Sequence, residues 1–173
     1  RAEMKPAGKL PEDYVGIPSH GSLSGTVPGT VDGWFALHGR WGQLPMSTVL
    51  REPIKYANEG FPLSPVIAAG FEANRRRFES VAPMVEERDN ATNTYFKGDV
   101  APKAGEIFRN PDLAKSLEAI AKGGRDAFYS GPIAKKMAAY FEKIDADLTL
   151  ADLQSHEGEW VEPRGVDYHG YTL

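Results

Sequence analysis

At 173 residues, with 41% hydrophobic and 25% charged side chains, the sequence has the composition of a globular domain large enough for one sizeable core. A net charge of -4 and a pI near 5.6 argue against a nucleic-acid or anionic-membrane surface, and no apolar run approaches the roughly 20 residues a membrane helix requires. Cysteine is absent, which removes disulfides, thiolate catalysis and cysteine metal sites and leaves the compartment open.

Residues 1–24 contain Pro6, Pro11, Pro18 and several glycines without apolar periodicity, and read as an irregular lead-in. The stretch from Gly25 to Trp34 turns the chain sharply at Pro28-Gly29 and then starts a helix over Val31 to His38 or slightly beyond. Thr30 is its expected cap, and Asp32 sits where the helix dipole favours an acid. A glycine-rich turn before a helix can hold a phosphate, but no Lys-Ser/Thr follows and no G-x-G-x-x-G is present, so a structural elbow is the better reading. A second helix is expected from Ser47, with Val49, Leu50, Ile54 and Ala57 on one side, a kink at Pro53 and an end at Gly60.

Ser64-Pro65 starts a third helix whose apolar stripe is Val66, Ile67, Phe71 and Phe78. Arg75-Arg76-Arg77 forms its solvated side. From Ser80 to Gly105 the pattern thins to loop and short helix, with a small extended element near Tyr95. Asn110-Pro111-Asp112 is the strongest helix start in the chain; Leu113, Leu117, Ile120 and Ala121 follow at helical spacing, Gly123-Gly124 closes the helix, and one more turn spans Arg125 to Tyr129. Ser130-Gly131-Pro132 opens the next helix, packed antiparallel to the last. Thr149 and Asp152 form a capping box with Asp in place of Glu, and Trp160-Val161 and Val166 to Leu173 alternate as strands.

Chemistry-bearing constellations are sparse. His20, His38, His156 and His169 show no metal-ligand spacing. The acidic pairs at Glu86-Glu87 and between Glu157 and Glu162 lie in polar, turn-rich stretches where solvated carboxylates are the ordinary finding, and no G-x-S-x-G elbow is present. No metal and no cofactor is expected.

Five motifs, in this order, carry a resemblance: Gly25-Thr26-Val27-Pro28-Gly29-Thr30-Val31, Tyr56 to Pro62 (YANEGFP), Phe108 to Ala114 (FRNPDLA), Gly123 to Gly131 (GGRDAFYSG) and Tyr168-His169-Gly170-Tyr171. Together they resemble the large subunit of the gamma-glutamyltranspeptidases, N-terminal nucleophile hydrolases that cut themselves into a large and a small subunit. The resemblance covers an internal slice of that subunit. It implies a mainly α fold, the helical domain of the large subunit with a few short β-strands near the C-terminal end. The expected organisation is a single domain over 1–173, with 1–24 irregular, 25–155 helical and 156–173 in strands.

The resemblance also implies transfer or hydrolysis of the gamma-glutamyl group of glutathione and related amides. Its catalytic threonine belongs to the small subunit, so the segment alone is expected to be inactive and to supply no catalytic residue. The implied partners are the remainder of the large subunit, the small subunit and a glutathione-like molecule, with no nucleic acid and no membrane span; the implied location is periplasmic or secreted. In this family an arginine in an Arg-Glu-x-Ala-Pro segment pairs with the substrate α-carboxylate. Here Arg1-Ala2-Glu3-Met4-Lys5-Pro6-Ala7 has one residue extra before Glu3 and Lys5 in place of a small residue, which makes Arg1 the substrate-binding candidate. The alternative for Arg1 is an unengaged terminal residue. For the whole, the alternatives are a non-catalytic helical scaffold or a segment of a cephalosporin-acylase-like amidase.

Overall fold

The Asn110-Pro111-Asp112 start opens the helix on which four other helices lean. In the computed structural model, which describes residues 16–82, 85–86 and 88–172, the Asn110 side chain accepts a hydrogen bond from Leu113 N at 3.0 Å, and Pro111 holds the first helical position. The helix so begun, α6 (Pro111–Tyr129), buries Ala114, Leu117 and Ile120 on one side. Against it pack α1 (Thr30–Trp41), α2 (Met46–Val49), α3 (Arg51–Glu59) and α7 (Pro132–Lys143). Val31, Leu50, Leu117, Ile120 and Tyr129 form the buried core, with Phe35, Ile54 and Ile133 packed around them.

Polar bolts hold α3 to α6. Asn110 N donates to Ala57 O at 2.9 Å and Arg109 Nε to Glu59 O at 2.8 Å. Between them runs an antiparallel ribbon of β1 (Phe61–Pro62) and β2 (Ile107–Phe108), pairing Phe61 with Phe108. Two-residue strands carry no readable periodicity, so this ribbon is not evident in the sequence. The third expected helix, α4 (Pro65–Ser80), is capped by Ser64, whose Oγ accepts from Ile67 N at 3.2 Å. Its Phe71 ring joins Tyr95, Phe96 and Phe108 in an aromatic cluster. Arg75 and Arg76 hold the Glu72 carboxyl down at about 2, as a solvated charged side would. The Thr149–Asp152 capping box is present and starts α8 (Leu150–Gln154), which buries Leu153.

Several boundaries differ from expectation. The caps of α1 and α7 are Gly29 and Gly131, so Thr30 is already helical and Ser130 terminates α6. The break in the second helix falls at Leu50, and Pro53 sits inside the first turn of α3, where its missing N–H costs nothing. Tyr95 ends a helix, α5 (Asp89–Tyr95), and only Lys97 and Val100 make a bridge beyond it. Trp160-Val161 is irregular, and the last stretch folds on itself as a hairpin of β3 (Asp167–Tyr168) and β4 (Tyr171–Thr172) around His169-Gly170. His169 takes φ 49, a conformation a non-glycine residue rarely advertises. Glu86 is not merely solvated: its carboxylate accepts from Ser22 N at 3.1 Å and Ser22 Oγ at 2.7 Å, anchoring a 3-10 turn (Ser22–Ser24) at the end of the lead-in. Glu87 lies outside the described residues.

Gly60 has φ 89, and a Cβ there would come within 2.8 Å of Phe108 O. Gly60→Ala should therefore lower stability by about 1–3 kcal/mol, whereas Gly39→Ala, in the interior of α1 with open space around it, should raise it by up to about 1 kcal/mol. Urea unfolding of both variants checks the contrast.

Candidate functional site

The elbow at Pro28-Gly29 is held by side chains from nearly one hundred residues away. α6 breaks at Gly124 (φ 68, ψ -160), and the re-aimed last turn carries Arg125 and Tyr129 to the start of α1. Tyr129 is fully buried; its hydroxyl donates to Pro28 O at 2.6 Å and accepts from Asp32 N at 3.1 Å. Burial raises the pKa of this phenol, so it stays a donor. The single hydroxyl thereby satisfies groups on both sides of the turn.

Among the described residues, Asp32 is the buried charged one. One carboxylate oxygen receives Arg125 Nε and the other receives Gly158 N at 2.8 Å, while the second arm of the guanidinium reaches His156 O. The hydrogen bond from Arg125, opposed in part by burial, lowers the Asp32 pKa. The Arg125 guanidinium lies 4.5 Å over the Tyr129 ring, and the His156 ring stacks on Tyr129 at 5.2 Å. A side chain at Gly158 would run into the Asp32 carboxylate, so the close approach requires glycine. Gly29, Asp32, His156, Gly158 and Trp160 line a cleft of about 320 Å³ in front of the elbow.

Every polar atom on Asp32 and Tyr129 that could act as base or nucleophile is engaged in holding the fold. Among the described residues, no three His, Cys, Asp or Glu side chains gather as a metal site, and no helix is long and apolar enough to cross a membrane. Of the histidines, His38 Nε2 contacts Leu44 O at 2.6 Å, and His169 occupies the hairpin turn. Arg1, the substrate-binding candidate, lies outside the described residues. The Asp32–Arg125 pair was missed in the sequence because a helix dipole already accounted for Asp32; the signal was the place of Arg125 within the Gly123 to Gly131 motif and of Asp32 directly after the Gly25 to Val31 motif.

The family model for gamma-glutamyltranspeptidase matches residues 3–173. The chain belongs to the gamma-glutamyltranspeptidase family. It is 34% identical over 91% of its length to the glutathione hydrolase-like YwrD proenzyme of Bacillus subtilis, and 37% identical over 88% to the glutathione hydrolase proenzyme of Pseudomonas aeruginosa. It spans 29% and 26% of those two relatives, about a quarter to a third of their length. The gamma-glutamyltranspeptidase of Helicobacter pylori superposes with a TM-score of 0.83 at 27% identity, covering 99% of this chain and 48% of that one. Cephalosporin acylase from Bacillus halodurans gives 0.81 at 34% identity, covering 90% and 29%. The mainly helical fold is thus that of a family of N-terminal nucleophile hydrolases, and both partners of the Asp32–Arg125 pair fall within the matched residues.

Two variants test the clamp. Tyr129→Phe leaves Pro28 O and Asp32 N without their partner and should cost about 1–3 kcal/mol in urea unfolding. For Asp32 the folded pKa lies below the unfolded value of about 3.9, so its contribution is complete above that value and is withdrawn as pH falls through the folded pKa. Asp32→Asn should therefore be less stable than the parent at pH 7, by about 1–3 kcal/mol. The gap should narrow on acidification below about pH 4, and an unchanged gap would contradict the assignment.

Proposed function

We propose that the chain is a large-subunit segment of an enzyme that transfers or hydrolyses the gamma-glutamyl group of glutathione and related amides. The observation that carries this reading is the family match running unbroken from residue 3 to residue 173, joined to relatives that are themselves glutathione hydrolase proenzymes. In the chemistry proposed, a threonine hydroxyl of the small subunit attacks the gamma-carbonyl, its own α-amine taking the proton. The amide C–N bond breaks, the amine leaves with that proton, and water or a second amine resolves the acyl-enzyme. The segment's part is to frame that site.

Within this reading Arg1 binds the substrate α-carboxylate, since a planar guanidinium meets a carboxylate with two parallel hydrogen bonds. The working partners are the remaining large subunit, the small subunit and a glutathione-like substrate. On family resemblance we assign a periplasmic or secreted location, and fractionation that leaves the protein in the cytoplasm overturns it. A second reading, an amidase acting on a cephalosporin-type side chain, is favoured by the likeness to the Bacillus halodurans acylase.

The deciding experiment compares a gamma-glutamyl anilide with a cephalosporin-type amide as substrates for a protein of the relatives' full length. Turnover of the anilide supports the first reading and turnover of the second substrate alone supports the other. The 173-residue chain by itself should turn over neither. Arg1→Ala in the full-length protein should reduce kcat/KM by an amount equivalent to about 2–5 kcal/mol, and Arg1→Lys, which keeps the charge but loses the fork, should recover only part of it. A change in kcat/KM within about twofold would remove Arg1 from the role.

A further inference from the structure

Among the described residues, one side of α1 is largely uncovered. Val31 and Phe35 point into the core, but Trp34, Leu37 and Trp41 repeat at helical spacing on another side. They are 37%, 53% and 61% exposed, and Val49 of α2 and Leu113 of α6 beside them are 48% and 47% exposed. Together they line a groove of about 760 Å³ that has no Asp, Glu, Lys or Arg in its lining. Its one ionisable lining side chain, His38, is turned to Leu44 O. The surface continues past the groove: the Trp160 ring lies 5.4 Å from that of Trp41, and the Arg40 guanidinium covers both rings at 4.6 and 5.1 Å. Contiguous aromatic and aliphatic surface without charged side chains has the composition of the buried centre of an interface.

We propose that this groove is the seat of the remaining polypeptide of the same proenzyme, packed through an uncharged aliphatic and aromatic surface. The inference rests on the reading of the chain as a segment of a gamma-glutamyltranspeptidase-like precursor. Its support is quantitative: the family match includes all the groove residues, yet the curated relatives carry roughly seven-tenths of their length outside the matched segment. That additional chain must bury its own apolar surface, and the groove, lacking charge, selects an apolar complement over a charged one.

The test uses the intact proenzyme, labelled with hydroxyl radicals and mapped by peptide mass spectrometry before and after unfolding in urea. If the groove were open, Trp34, Leu37, Trp41, Val49 and Leu113 would be protected only about two- to threefold, the reciprocal of their exposures in the segment. Covered, they should be protected at least about tenfold, together as one block; protection at or below the open value overturns the proposal. Protection that appears only as protein concentration rises, tracking dimer in sedimentation, assigns the groove to a second copy and overturns it as well. Leu37→Arg in the proenzyme should lower Tm by at least about 5 °C, and an unchanged Tm counts against the seat. Turnover of the gamma-glutamyl anilide, measured on the self-cleaved enzyme that forms from the same preparation, separates the two readings. An active cleaved enzyme with an open groove refutes this inference alone, whereas a protected groove without turnover after complete self-cleavage refutes the substrate assignment alone.

Discussion

Asp32 and Arg125 hold together three parts of the chain that share no secondary structure: the first turn of α1, the last turn of α6 and the segment from His156 to Gly158. An ion pair in such a place is favourable only if the desolvation of both ions is met by further hydrogen bonds, and here it is, through Gly158 N on one side and His156 O on the other. Removing either ion would leave the other half-buried without a counter-charge. The break at Gly124 directly precedes both side chains, and the turn after it carries Arg125 and Tyr129 to the elbow.

α1 is the element where the three demands on the segment meet. Val31 and Phe35 anchor it in the core, Asp32 ties it to the clamp, and Trp34, Leu37 and Trp41 face outward. A surface helix ordinarily has one apolar stripe and a polar back. A helix with apolar residues on two sides and a buried acid at its start is built to lie between layers. That is the arrangement expected of a frame that positions chemistry supplied by other parts of a protein.

Features governed by neighbours within four residues were legible in the sequence. The caps at Ser64, Asn110 and Thr149 depend on a side chain reaching an N–H three positions on, and all three are present. Thr30 and Ser130 misled because the adjacent glycine took the boundary position in each case, displacing the polar residue by one. The clamp was not legible, because its partners lie 93 and 126 residues apart and each has an adequate local explanation. The ribbon at Phe61–Pro62 and the hairpin at the end are too short for alternation to register, and Arg1, with the rest of residues 1–15, lies outside the described residues.

The span between Asp32 and Gly158 also sets a schedule for biogenesis. At a translation rate of about 5–20 residues per second, the 126 positions separating them take roughly 6–25 s to synthesise. For the first 93 of those positions α1 can form and recruit Leu50, yet its acid has neither the guanidinium that neutralises it nor the amide that completes its hydrogen bonds, and for the remaining 33 it still lacks the amide. The elbow is therefore a late-closing joint on the ribosome, and the nascent chain displays the Trp34 to Trp41 side before the joint is locked, the period in which a chaperone that recognises aromatic surface would have its opportunity to bind.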